Sequence, residues 1–538
     1  MLKRDISSVN ILIASAGGMI GSGWLFSPFI SAQIAGSNAL ITWIIAAIFM
    51  LFIALPLCEL GTMFPVSGGM ANYPSFSHGR EVGFLFAWTS WLSYVVMTPI
   101  EIQAILQYGS HFFPFLIKKT NAQIELSSYG YLTAITIMLA VALLNSFGIK
   151  LLAECNKYAS IVKFILPTIA IIALIYIAPS FNNLQININN RQSWAEIFSA
   201  LSTGGVIFAF TGFQNGLVLS GEVKNPQRNI PISILGAVLI GFILYSFLQF
   251  SFIVAVPKSY LGHGWHGLNF PGDSGPLVGL TLLLGLGTVA LLLMIDAVIS
   301  PFGTTLVYTA ATSRILYGMA INRHLPKFFL KVNRYQIPYI TLYANLIVGI
   351  FAFLPLPGWQ KMVSFLSSTS IFSYGIGPIC LLAMRTLQPK KKRPFKLAHS
   401  LLCCSIAFYA CNLMLYWCGF DIIWKLYVAV TAGLVIHLIH LRKNIFACSH
   451  SLFWLLFYIT GLLFLSYLGS FGGIKFLKFP LDNLIILPFS LLVLYTSQLV
   501  LKTDKDDYKN NDDLQLVSEE ESSLLTSNPE ESATKDLL

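Results

Sequence analysis

Charge is scarce in this chain. Only 10% of its 538 residues are Asp, Glu, Lys or Arg, while 56% are hydrophobic. Soluble domains carry roughly 25% charged residues. Apolar runs of membrane-spanning length recur from end to end, which excludes a soluble globular protein and points to a polytopic membrane protein. No Cys-x-x-Cys pair occurs among the eight cysteines. They lie mostly inside apolar runs, with Cys403 and Cys404 adjacent, and fit small hydrophobes better than a disulfide framework or a metal site. There is no Gly-x-x-x-x-Gly-Lys-Ser/Thr loop, which argues against a primary pump. There is no nucleophile–base constellation, so an enzyme is not expected, and neither is a cofactor. The first apolar stretch lacks a clear small-residue cleavage site and is read as a retained span. The net charge of +10 comes from basic residues in short loops, where membrane topology accounts for it, and no nucleic-acid partner is implied.

The pattern gives an all-α protein of about fourteen spans, the first near 8–32, the sixth near 194–220 and the last near 481–501. With the N-terminus in the cytoplasm, the even-to-odd connections carry the basic residues. These include Lys150, Lys157, Lys224, Arg228, Arg323 and Lys327, with Lys390, Lys391, Lys392, Arg393 and Lys396 as the densest group and Arg442 and Lys443 after it. That bias predicts that both termini are cytoplasmic. From 502 to 538 the chain turns polar and acidic and reads as a disordered tail. Glu520, Leu524 and Leu525 fit an acidic dileucine sorting pattern, a short pattern that a solvated tail also produces.

Two spans are unlike the rest. Gly17, Gly18, Gly21 and Gly23 fall within seven residues of span 1. Each costs a continuous helix about 1 kcal/mol against Ala, so a broken helix is expected, with close packing through small residues as the competing explanation. A break at membrane depth is tolerated only inside protein or at a watery cavity. Freed amides at the positive end of a half-helix suit an anionic group. Ser15-Ala-Gly-Gly-Met-Ile20 in span 1 is echoed by Ser202-Thr-Gly-Gly-Val-Ile207 in span 6, where Gly204, Gly205, Gly212 and Gly216 again interrupt the helix. Paired Gly-interrupted spans five apart match the inverted-repeat plan of many transporters.

Several motifs resemble the amino acid–polyamine–organocation superfamily of permeases. Gly21-Ser-Gly-Trp-Leu-Phe26 resembles its span 1 signature and Phe210-Thr-Gly-Phe213 its span 6 break. Gly221-Glu-Val-Lys-Asn-Pro-Gln-Arg-Asn-Ile-Pro231 resembles the loop between spans 6 and 7. Ser313-Arg-Ile-Leu-Tyr-Gly-Met-Ala320, Leu325-Pro326 and Arg393-Pro394-Phe395 follow in family order. Trp24 after the signature is similar to a bacterial subgroup that includes aspartate–proton symporters. The resemblance implies a 5+5 inverted repeat of the sodium-coupled leucine transporter type. It implies a ten-helix core over 1–386, four further helices over 387–501 and residence in a bacterial inner membrane. It further implies an amino acid carried with protons, or by exchange for an amine or another amino acid; a sensor is a remote third reading. Side-chain specificity and oligomeric state are not readable.

The resemblance also places a site. Gly21, Ser22 and Gly23 would receive the substrate carboxylate, and freed carbonyls around Phe208, Ala209 and Thr211 its ammonium, with Met19, Ile20 and Gly212 also in the substrate site. Phe208 would be an aromatic lid or an ordinary packing residue. Gln214 stands where many relatives have Glu, which puts proton-linked gating there in doubt. Lys163 in span 5 resembles the lysine of proton-coupled members, unless it snorkels to the interface. Asp296 in span 8 is a second intramembrane charge whose role is open: it would pair with a cation, tune selectivity or titrate. Ser300 and Thr304 are candidate polar lining opposite span 1. Glu101 follows Pro99 in span 3 and faces an unknown direction, and Glu59 is read as interfacial. Glu222, Lys224 and Arg228 are read as structural, and no metal ligand set is expected.

Overall fold

The computed structural model describes residues 6–66, 69–120, 123–147, 149–177, 181–189, 191–270, 275–322, 324–335, 337–441 and 451–503. The side chains of Lys150 and Lys157, Arg323, Arg442, Lys443 and the acidic tail beyond 503 lie outside what it describes. In a bilayer core no water can satisfy backbone groups, so apolar chain there folds as helix. The described chain is accordingly almost all helical. Its two strands are a short antiparallel hairpin, β1 Ile117–Thr120 and β2 Gln123–Leu126.

The helices run α1 Ser8–Met19, α2 Gly23–Ala35, α3 Ala39–Met63, α4 Tyr73–His78, α5 Arg80–Gly109, α6 Ser128–Ser146 and α7 Ile149–Ile177. After the connection come α8 Arg191–Thr203, α9 Val206–Phe210, α10 Asn215–Val218, α11 Pro226–Ala255, α12 Pro276–Leu283 and α13 Gly287–Ile321. The chain closes with α14 Tyr339–Ala352, α15 Trp359–Tyr374, α16 Ile376–Leu387, α17 Ser400–Trp417, α18 Phe420–Leu441, α19 Ser451–Leu468 and α20 Leu481–Thr503.

Among the described residues nine helices are long and apolar enough to cross a membrane, ten when α8 and the segment Val206–Val218, bent by 48°, count as one. Four shorter apolar helices accompany them. The tally is below the fourteen expected: α2 and α3 run on as one apolar stretch, and α1 is among the shorter helices. The 12 residues of α1 span only about 18 Å of a core roughly 30 Å thick.

The long helices pack around α13, which lies along α5 and α7, while α11 lies along α1 and α3. Trp24, Trp43, Tyr108, Tyr245, Tyr308 and Tyr374 fill the centre, almost wholly buried. Leu132, Ile135, Leu139 and Leu143 on α6 are exposed, as a lipid-facing helix requires. Polar bonds moor the late helices: Asn412 donates to Ser490, Tyr458 donates to Asn412 and Tyr416 donates to Asp482.

Ile6, the first described residue, is tied down. Ile6 N–H donates to the Glu222 carbonyl and Lys224 N–H donates to the Ile6 carbonyl, each at 3.0 Å. Glu59, near the end of α3, is paired inside the protein. Its carboxylate is fully buried and accepts two bonds from Arg385, at 2.6 and 3.0 Å, and one from Leu397 N–H at 2.7 Å, with Arg393 Nε 3.3 Å away. The direction of a lone acidic residue near a helix end is not encoded locally. Its arginines arrive from more than 300 residues away.

Candidate functional site

Span 1 breaks at Ile20–Ser22, between α1 and α2. A helix start leaves amide donors unsatisfied, and Ser22 at the cap of α2 makes no side-chain cap bond. Its hydroxyl instead accepts from the Trp359 indole at 3.0 Å. The Ser22 amide is met by a carboxylate from another span: it donates to Glu101 Oε2 at 2.8 Å. Glu101 Oε1 is buried and has no hydrogen-bond partner among the described residues. It lies 2.4 Å from where a Cβ on Gly21 would stand, so Gly21 makes room for that carboxyl group.

The other side of the break is met by the opposite charge. Lys163, only 2% exposed, donates to the Gly17 carbonyl at 3.2 Å and to Thr304 Oγ1 at 2.7 Å. Its ammonium is therefore turned into the protein and not toward an interface. The Met19 carbonyl accepts from Tyr245 O–H at 2.9 Å. An acid at the positive start of α2 and a base at the negative end of α1 are what the helix dipoles favour.

Span 6 is interrupted twice. Gly205 turns at φ +83° before α9, and Thr211–Gln214 separate α9 from α10. Phe208 and Ala209 thus sit inside a short helix. The Phe208 carbonyl already accepts from Thr211 N–H at 2.9 Å and Thr211 O–H at 2.6 Å. Gln214 accepts from Gly212 N–H at 2.8 Å and so braces the turn in which it sits. Gly212 has φ +125°, and a Cβ there would lie 2.5 Å from Gly18 C. The two breaks touch backbone to backbone, which only glycine permits at that φ.

Phe208 lies over Gly23, whose Cβ would stand 3.1 Å from the ring, and Ala209 Cα is 3.4 Å from the same point. The Phe208 ring meets Trp359 edge-on at 5.7 Å, and Trp359 meets Phe26 at 4.6 Å. Beyond this aromatic layer opens a cavity of about 440 Å³, reaching Gln107, His266, Gly275, Pro276, Trp359 and Lys361. On α13, Asp296, Ser300 and Thr304 share one face. Ser300 O–H donates to Asp296 Oδ1 at 2.7 Å, and Thr304 O–H donates to the Ser300 carbonyl at 3.0 Å.

The structure thus brings Gly21, Ser22 and Gly23 together with Phe208 and Ala209. It places Thr211 and Gly212 beside the end of α1, and Lys163 against Thr304. Sequence reasoning left three contributors unplaced. Glu101 carried a signal, an intramembrane charge just after a proline. Trp359 and Tyr245 carried none that sets them apart from the many other aromatics.

The helices, the buried charges and the paired breaks define a multi-pass integral membrane protein with a polar centre. The chain belongs to the amino acid permease family, whose description matches residues 6–439. It is 34% identical over 505 residues to the glutamate/serine transporter AimA of Bacillus subtilis, covering 91% of this chain and 93% of that protein. It is 33% identical over 507 residues to the aspartate-proton symporter of the same organism, covering 92% and 96%. The branched-chain amino acid permease BcaP is 24% identical over 455 residues, covering 82% and 94%. These relatives are transporters and permeases, not enzymes, and amino acid transport is the activity they share.

Proposed function

We propose that this chain imports an amino acid by proton symport across a bacterial plasma membrane, with both termini in the cytoplasm. In this reading residues 1–386 form a ten-helix core of two inverted five-helix repeats, with four further helices over 387–501. The amides around Gly21, Ser22 and Gly23 receive the substrate carboxylate, and Phe208 closes over it. The observation that carries the reading is the Glu101–Ser22 bond of 2.8 Å: the start of α2 already takes a carboxylate, one supplied by the protein itself. An amino acid enters by exchanging its own carboxylate for that of Glu101. Lys163 supports proton coupling. A buried amine bonded to the end of α1 and to Thr304 holds span 1 when protonated and releases it when the proton leaves. The names of the two nearer relatives suggest acidic and hydroxyl amino acids as substrates.

The test is uptake of radiolabelled L-aspartate, L-glutamate, L-serine and a branched-chain amino acid into proteoliposomes, with and without an inward proton gradient. Acid outside should accelerate uptake of at least one of the first three. Uptake that ignores the gradient but requires amino acid inside would make the protein an exchanger.

A further inference from the structure

Asp296 is a buried carboxyl in α13 that the binding of an amino acid at the α1–α2 break does not use. It is 0% exposed, and its Oδ2 has no hydrogen-bond partner among the described residues. Below it on the same helix face, Ser300 and Thr304 follow at intervals of four residues. The column ends at the Lys163 ammonium, which bonds Thr304 at 2.7 Å. Eight residues of helix rise about 12 Å, so the column joins Asp296 to Lys163 along a single face.

Tyr108 lies against Gly275, a cavity-lining residue, where a Cβ would stand 2.3 Å from the ring. The Tyr108 hydroxyl donates to the Leu25 carbonyl at 3.1 Å, and Asp296 is near enough to act on it electrostatically. From α2, the Trp24 indole is turned toward the Asp296 carboxyl without closing a hydrogen bond. The titratable groups facing Asp296 are Tyr108 of α5 and Lys163 of α7. Helix α12, packed on α13, contributes none.

We infer that Asp296 is the proton-loading group for Lys163, taking a proton from the cavity side and passing it down the Ser300–Thr304 face. The inference rests on the proton-symport reading. One proton moves. It leaves the Asp296 carboxyl, the Ser300 and Thr304 hydroxyls each give one proton on and take one back, and the Lys163 amine becomes an ammonium while Asp296 becomes a carboxylate. Thr304 O–H bonds the Ser300 carbonyl and not its hydroxyl, so one transient water, taking a proton from Ser300 and giving one to Thr304, carries the step across that helical turn, about 5.4 Å. Hydroxyls relay protons without holding charge, which suits a dry interior where a stranded charge is costly.

The experiment uses the full chain in proteoliposomes, with wild type, Asp296→Asn and Asp296→Glu. Two rates are read with radiolabelled L-aspartate, L-glutamate and L-serine: uptake driven by acid outside, and exchange at equal pH. In Asp296→Asn the ratio of driven uptake to exchange should fall tenfold or more, and the dependence on outside pH should flatten. Asp296→Glu should recover much of the ratio. An unchanged ratio in Asp296→Asn overturns the inference and leaves symport intact. Loss of exchange in both variants overturns it too, by making Asp296 a support of the fold. If the wild type itself is indifferent to the proton gradient, symport fails first, and the inference with it.

Discussion

Glu101 Oε2 accepts the Ser22 amide at 2.8 Å, so the first donor of α2 is engaged by a residue 79 positions away before any amino acid arrives. Two carboxylates cannot share that N–H. The Glu101→Gln side chain keeps the shape but makes a weaker, uncharged acceptor. Amino acid binding to Glu101→Gln should therefore tighten, by roughly threefold to tenfold. Weaker binding, measured by isothermal titration in detergent, would instead make Glu101 a support of the site.

Lys163 bonds both Gly17 and Thr304. Lys163→Ala removes the charge that grips the end of α1, and acid-driven uptake should fall sharply while exchange at equal pH survives. Lys163→Arg should also fail to couple, because a guanidinium keeps its proton across the accessible pH range. Wild-type acid-driven uptake in both variants would send the search for the proton path elsewhere.

Phe208 and Gly23 test the closing layer. A side chain at Gly23 runs into the Phe208 ring, 3.1 Å from a first Cβ. Gly23→Leu should abolish substrate binding while the protein still inserts and elutes as a single species in detergent. Phe208→Ala should impair transport more than thermal stability, whereas Phe208→Trp should be tolerated. Equal uptake by Phe208→Ala and wild type would return this ring to ordinary packing.

Glu59 predicts a stability effect remote from the site. Replacing it by Gln leaves Arg385 and Arg393 facing each other with no counter-charge. Removing one partner of a buried ion pair costs roughly 3 kcal/mol. The melting temperature in detergent should drop by several degrees, with substrate affinity unaffected. An unshifted melting curve would show that the cluster contributes nothing net.

Much of this organisation was legible in the sequence because glycine and charge stand out against an apolar background. Gly17 to Gly23 marked the first break, Gly204 and Gly205 the bend before α9, and Lys163 the buried amine. The pairings were not legible. Whether Glu101 faces lipid, α13 or the α1–α2 break depends on the rotation of α5 against its neighbours, which packing decides over distances that periodicity does not reach. The same holds for Glu59 and for Trp359, whose indole reaches Ser22 from 337 residues away. Span 6 differed in a further way. Its glycines signalled interruption but not that a helical turn would survive between two breaks, leaving the Phe208 carbonyl already bonded.

Gly18 and Gly212 meet backbone to backbone, with no side chain between them to act as a cushion. A side chain can change rotamer to relieve pressure; two main chains in direct contact have no such layer to yield. The end of α1 and the turn after α9 consequently pack with no compressible layer between them. A tilt of α1 toward that turn is expected to carry the turn with it. A crosslink that arrests the turn is expected to hinder that tilt.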